Sequence, residues 1–284
     1  MRSIKRFHWV AAWLASALSG CASASGPPDT IRVLVYNIHA GKDAKGVDNL
    51  ARVAAIVRDT RADVVLLQEV DKLTERSGKV DQMAELRRLT GYSGAFGKTL
   101  DYQGGDYGIA VLSRWPITAD TLIHLPVDPP QHRSGVSYEP RGALVVRIDA
   151  PGRPLRVINT HIDASREDFY RLQEAKSLLS LSMGLQDGTG DHGGAETVMG
   201  GDLNSEPESA VIALFGPAGW RDSFRECGKG DGLSYPANVP VKRIDYLMIT
   251  GATRCTTASA LSTEASDHRP VLFEIVRGKA GSSR

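Results

Sequence analysis

Apolar residues run through this chain in short blocks, and block after block ends in a polar side chain. IRVLVYNI (31–38) alternates and then turns wholly apolar, predicting a strand that terminates at Asn37. ADVVLLQEV (62–70) is a continuous apolar run of strand length, so it predicts a strand buried on both faces. YGIAVLS (107–113), GALVVRID (142–149), LRVINTHI (155–162), AETVMGGDLN (195–204), RIDYLMI (243–249) and RPVLFEI (269–275) read the same way. Pro270 can open the last of these, where its missing N–H costs nothing. Helical spacing predicts helices over 48–60, with Asp48 as cap, and over 80–91, closed by Gly91. It also predicts a long helix over 165–183 that opens with a Ser165…Asp168 pattern, and a helix capped by Ser205 with Glu208 three residues on. Strands alternate with helices early and adjoin one another later, which describes a mixed α/β sandwich.

The polar ends of the apolar blocks are chemically alike. They deliver Asn37, Glu69, Asn159, His161, Asp202, Asn204 and Asp245, and the stretch SDHRP adds Asp267 beside His268. Each has an ordinary explanation when taken alone: a turn asparagine, a surface carboxylate, a satisfied core histidine. Their recurrence at strand ends points instead to one crevice, since α/β folds gather ligands beyond the carboxyl ends of their strands. Oxygen donors with histidine and no cysteine suit a hard cation such as Mg²⁺ or Mn²⁺ better than structural zinc.

In this order the motifs YNIHAG, LLQEVD, EPRGAL, NTHID, GDLNSEP, RIDYL and SDHRP resemble the endonuclease/exonuclease/phosphatase superfamily over about residues 31–277. The resemblance implies a four-layer sandwich of two mixed β-sheets flanked by helices, as in pancreatic-type deoxyribonuclease. It implies hydrolysis of a phosphate ester by in-line attack of water, with a divalent metal held by Glu69, Asn37 and Asp267. Asp202 and Asn204 match the pair that activates and positions the water, and His268 the histidine on the scissile phosphate. Asp245 resembles the carboxylate orienting that histidine, His161 a second phosphate-side histidine, and Arg141 a phosphate-binding arginine. The chain departs from abasic-site repair relatives: His39 stands where they carry Asp, and no Lys follows Glu69 before Lys72. Ile109 replaces an asparagine found in several relatives, and the nearest candidates to partner His161 are Asp106 and Tyr107. The layout is most similar to bacterial members of open substrate, themselves similar to proteins of glycosylphosphatidylinositol remodelling.

The first residues change the picture of where this chemistry takes place. MRSIKRFH is basic, WVAAWLASAL apolar, and LSGC (18–21) resembles a lipobox, so residues 1–20 read as a lipoprotein signal peptide and Cys21 as the acylated residue. Residues 21–30 then form a tether, 31–278 the catalytic domain and 279–284 a tail. Losing Arg2, Lys5 and Arg6 with the leader takes the formal charge from +1 to −2, too little basic excess for binding nucleic acid by counterion release alone. Export leaves Cys227 and Cys255 either disulfide-bonded or as two buried thiols. The expectation is an exported phosphodiesterase, with a nuclease as one form of it, lipid-anchored to the cell envelope. The alternatives are a phosphatase or phospholipase-C-like enzyme acting on lipid or inositol phosphates and, more remotely, a non-catalytic binding module. Oligomeric state is not legible.

Overall fold

The computed structural model describes residues 30–129, 139–186 and 195–278. The predicted leader, Cys21, the tether up to residue 29 and the tail lie outside the described residues. Among the described residues, twelve strands form two six-stranded sheets. The first contains β1 (Thr30–Asn37), β2 (Val64–Lys72), β3 (Ser93–Tyr102), β4 (Gly105–Ser113), β11 (Arg254–Ala260) and β12 (Val271–Val276), in the order β11-β12-β1-β2-β4-β3. The second contains β5 (Ile117–Leu125), β6 (Arg141–Ile148), β7 (Leu155–His161), β8 (Glu196–Asp202), β9 (Arg221–Asp222) and β10 (Asp245–Ile249), in the order β5-β6-β7-β8-β10-β9. Each sheet has one parallel pair at its heart, β1 with β2 and β7 with β8, and antiparallel neighbours elsewhere.

Why the central strands read as unbroken apolar runs is plain from their two faces. Val33 and Val35 of β1 point between the sheets with Leu66, Val157 and Val198. Leu34 and Tyr36 point the other way, onto Val53, Val57 and Leu86 of α1 (Leu50–Asp59) and α2 (Gln82–Thr90). In the second sheet Ile158 and Met199 face outward to Leu178 and Leu179 of α3 (Phe169–Gln186) and to Val211 of α4 (Ala210–Ala213). The result is a four-layer helix–sheet–sheet–helix sandwich. Each side chain fully buried on folding contributes roughly 1.5–3 kcal/mol, and here both faces of the central strands contribute. A short helix, α5 (Ser223–Cys227), ends at Cys227, which is bonded to Cys255 of β11, with Cα atoms 5.7 Å apart.

Three capping expectations are corrected. Asp48 does not cap α1; a bridge between Lys42 and Asp48 pulls it into an ion pair with Lys42 at 2.8 Å, and Asn49 occupies the cap position. Asn49 itself donates to the Ala265 carbonyl at 2.9 Å, tying the helix start to the loop before β12. Residues 165–168 do not open α3, which begins at Phe169; Ser165 bonds Asp163, and Arg171 clamps Asp168 at 2.6 Å. Ser209, not Ser205, caps α4, accepting from the Ile212 N–H. Gly91 does end α2, in the left-handed conformation (φ 74°) that spares glycine the Cβ clash.

Candidate active site

One rim of the sandwich collects the polar ends because of strand direction. The parallel strands β1, β2, β7 and β8 all point their carboxyl ends there, while β6, β10 and β12 run antiparallel to their neighbours and begin there. Asp245, the first residue of β10, pairs in register with Asp202, the last of β8, and His161 ends β7 opposite Asp202. Glu69 sits in a bulge where the β2–β4 register shifts between Leu67 and Val70, with φ of 56°. The bulge turns its carboxylate out of the strand's alternation and into the cleft. That cleft, of about 630 Å³, is lined by Glu69, Arg141, His161, Asp202, Asn204, Asp267 and His268.

At its floor Asp202 Oδ2 lies 3.6 Å from His268 Nε2, 3.6 Å from His161 Nε2 and 3.1 Å from Asn37 Nδ2. His268 Nδ1 pairs with Asp245 Oδ2 at 2.9 Å. Burial alone would push His268 down, but Asp245, Asp202 and Asp267 more than offset it and raise the imidazole to about 10. The surrounding carboxylates therefore favour its charged form. Asp202 moves up to about 7, chiefly through burial and then through Asp245, with His268, the Asn204 N–H and Asn37 holding it back. Tyr235 packs a tilted ring against His268 at 4.8 Å, and Ser266 hydrogen-bonds the Asn37 carbonyl at 2.7 Å, fixing the Asp267–His268 loop to β1.

His161 is held quite differently. Arg141 Nη1 lies 3.1 Å from its Nδ1 and Asn204 Nδ2 lies 3.1 Å from its Nε2. A neutral imidazole has one proton for two nitrogens, so only one of these contacts is a hydrogen bond. A guanidinium can only donate, so Nδ1 accepts and the proton resides on Nε2, facing Asp202. Burial, Arg141 and His268 together hold His161 well below its ordinary range, so it stays neutral. Arg141 in turn pairs with Glu139 at 3.1 Å. The partner of His161 is thus Arg141, not the nearby acid or phenol. Asp106 pairs with Lys98 at 2.8 Å, and Tyr107 lines the cleft.

Asn37 presents its amide nitrogen, not its oxygen, to the site. Nδ2 donates to Glu69 at 3.0 Å and to Asp202 at 3.1 Å, while Oδ1 accepts the His39 N–H at 3.1 Å. Asn204 is fixed by its own N–H on Asp202 at 2.9 Å and by its amide on the Ile162 carbonyl at 3.0 Å. Asn159, equally suggestive in sequence, is not a lining residue of the cleft. It is fully buried and joins the sheets, accepting from Gln68 at 2.7 Å and donating to the Leu67 and Ala110 carbonyls, each at 2.9 Å. Tyr235, Lys242, Arg166 and Ser205 also line the cleft. Tyr235 and Lys242 come from a loop without apolar periodicity, so no pattern in the sequence singles them out; Ser205 and Arg166 stood in the sequence only as parts of expected helix starts.

The donor set suits a hard divalent cation. Glu69, Asp202 and Asp267 place three carboxylates on one cleft, and one ligand atom each from Asp202, Asp245 and His268 lie within 4.8 Å of one another. Because Asp245 Oδ2 is engaged by His268 and Asp202 Oδ2 sits between the two imidazoles, the oxygens of Glu69 and Asp267, which open on the cleft, are the better fit for such an ion.

Sandwich and site together have the two-sheet layout and polar rim of one protein family. The model of the endonuclease/exonuclease/phosphatase family matches residues 34–268, and the chain belongs to that family. Among curated proteins it is 29% identical to the "uncharacterized protein YbhP" of Escherichia coli K12, over 87% of this chain and 96% of that one. Among solved structures it resembles the mannosyl-6-phosphatase Bt3783 of Bacteroides thetaiotaomicron (TM-score 0.71, 16% identity, 87% of this chain and 100% of that one). It also resembles TDP2 from Caenorhabditis elegans (TM-score 0.66, 21% identity, 87% and 75%). At these identities the two structures share the fold.

Proposed function

We propose that the protein hydrolyses phosphate esters by in-line attack of water, with Mg²⁺ or Mn²⁺ as cofactor. The observation that carries this reading is the single carboxylate oxygen of Asp202 placed between two imidazoles that differ in charge. Such an ester is anionic and repels an incoming hydroxide, so catalysis needs positive donors on the equatorial oxygens and a base for the water. His268, kept cationic by Asp245, donates Nε2–H to a phosphate oxygen. His161, kept neutral and oriented by Arg141, offers a second Nε2–H without adding charge. Asp202 accepts the proton of a water that Asn204 helps to position. Glu69 and Asp267 would hold the cation, which supplies Lewis-acid neutralisation of the phosphoryl charge.

A phosphodiester, nucleic acid included, is the first substrate class, and a monoester on a lipid, sugar or inositol the second. The second is supported by the likeness to a mannosyl-6-phosphatase and by the hydroxyls of Ser165, Ser205 and Ser209 in the cleft wall. The leader and LSGC support an exported enzyme anchored through Cys21. Among the described residues no helix is long and apolar enough to cross a membrane.

The deciding experiment is a panel of duplex DNA, RNA, phospholipid, inositol phosphate and generic mono- and diesters, each with Mg²⁺ or excess chelator, beside His268→Ala. Turnover that needs the cation and falls with His268→Ala is expected. Full turnover in chelator would overturn the cofactor, and an equally active His268→Ala the site.

A further inference from the structure

Seven large hydrophobic side chains are exposed among the described residues, and six lie at the active-site end of the sandwich, five in loops and Phe169 at the first residue of α3. Val47 follows β1; Leu73 and Val80 follow β2; Phe169 follows β7; Val239 and Val241 precede β10. The three most exposed of all are Val239 (67%), Val241 (62%) and Val47 (59%). Of the seven, only Met183, in the last turn of α3, lies elsewhere. Isolated exposed aliphatics need no explanation, but their confinement to one end does.

These tips are not loose ends. The segment carrying Val239 and Val241 is closed by a bridge between Tyr235 and Lys242 and fastened to the site by the Ala237 N–H on the Asp267 carbonyl at 2.7 Å. Arg269 Nε holds the Ala237 carbonyl at 2.7 Å, and Pro236 and Pro240 restrict the backbone between. The two valines are therefore presented outward at little further entropic cost. Residues 43–45 and 237–238 flank one shallow cleft beside the catalytic one, which sets the Val47 turn next to the Val239 loop.

An exposed cation accompanies the apolar tips: Lys45 near Val47, Lys79 beside Val80, Arg166 near Phe169, Lys242 beside Val241. Of the acids near these tips, Asp48 pairs with Lys42 and Glu167 is exposed, while three others are engaged by the fold. Asp43 accepts the Lys45 and Val47 N–H groups, Asp81 caps α2, and Asp168 is clamped by Arg171. The loop from Pro236 to Lys242 contains no acid at all. Aliphatic tips backed by Lys and Arg match the boundary between acyl chains and anionic headgroups.

We propose that this rim docks on an anionic phospholipid bilayer, Val239 and Val241 inserting first and Val47 beside them, so that the catalytic cleft opens at headgroup depth. This goes beyond the hydrolytic reading and is tested without turnover. Purified full-length Cys21→Ser protein, carrying no acyl chain, is titrated with phosphatidylcholine vesicles containing or lacking phosphatidylglycerol. Adding Val47→Ser, Val239→Ser and Val241→Ser should weaken partitioning onto the anionic vesicles by roughly 10- to 100-fold, since three aliphatic side chains lose their burial. Met183→Ser should leave it unchanged. Because the apolar leader also meets lipid, a local probe is added. Tryptophan emission from Val239→Trp should shift to the blue and be quenched by brominated lipid, and that from Met183→Trp should not. Unaltered partitioning of the triple variant, or equal quenching at 183 and 239, overturns the proposal; partitioning onto a protein partner but not onto vesicles would also overturn it.

Discussion

Glu174 on α3 is fully buried beneath the cleft, and its replacement by glutamine makes a quantitative test of the interior electrostatics. Its Oε2 accepts the Asp163 N–H at 2.7 Å, whereas Oε1 is buried without a partner. Burial, reinforced by Asp163 and opposed by that N–H, Arg141 and Arg171, raises the carboxyl from 4.5 to about 8. In the unfolded chain it ionises near 4.5, so between pH 4.5 and 8 the unfolded state has released a proton that the folded state retains. Stability must then fall as pH rises through that window, by about 1.4 kcal/mol per pH unit, levelling off above pH 8. The whole window corresponds to about 5 kcal/mol, and the span from pH 5.5 to 7.5 to about 3 kcal/mol. Glu174→Gln keeps an oxygen to accept from Asp163 and removes the titration. Urea midpoints for wild type and Glu174→Gln at half-unit steps from pH 5 to 9 provide the comparison. The groups common to both proteins, His268 and Asp202 among them, cancel in the difference. The stability difference should widen steadily in favour of glutamine up to pH 8. Two parallel pH profiles would refute the reasoning, because they would mean that Glu174 is ionised in the folded protein.

Three further outcomes are expected. Asp202→Asn, Asn204→Ala and His268→Ala should each lower turnover roughly 10²–10⁴-fold, and pairs of them by far less than the product, because they act on one water and one phosphate; multiplicative losses in single-turnover assays would separate their roles. Opening the Cys227–Cys255 bond, which spans 28 residues, should cost about 3–4 kcal/mol by loop-closure entropy, read as a lower urea midpoint for Cys227→Ser/Cys255→Ser. Alkylation without reductant followed by intact mass should show neither thiol modified. Cys21→Ser should move the enzyme from membrane to soluble fractions or block its processing, since two or three acyl chains hold far more stably than one; equal partitioning of wild type and variant would remove the anchor.

The sequence alone determined the interior of each sheet. The eight strands written into its hydrophobic pattern, β1, β2, β4, β6, β7, β8, β10 and β12, are the eight with neighbours on both sides. Such strands are covered by helices on one face and by the opposite sheet on the other, so their burial must be encoded residue by residue. The four edge strands, β3, β5, β9 and β11, were not legible. SGAFGKTLDY and RCTTASA carry small and polar residues, and most of β5 is exposed or only half-buried. These segments become strands because a neighbour offers unpaired N–H and C=O groups, which is a property of the assembled sheet.

The site divides along the same line. Which residues could do chemistry was legible, because polar side chains at the ends of buried strands have no packing reason to be there. Their partners were not, because a hydrogen bond between residues far apart in the chain leaves no local trace. Tertiary structure turned the Asn37 amide nitrogen toward Glu69 and Asp202, set Arg141 against His161, and withdrew Asn159 into the seam between the sheets. It also decided charge. His161 and His268 are the same residue type at the same depth; burial lowers both, Arg141 and His268 lower His161 further, and the carboxylates around His268 raise it, so the first favours its neutral form and the second its charged form.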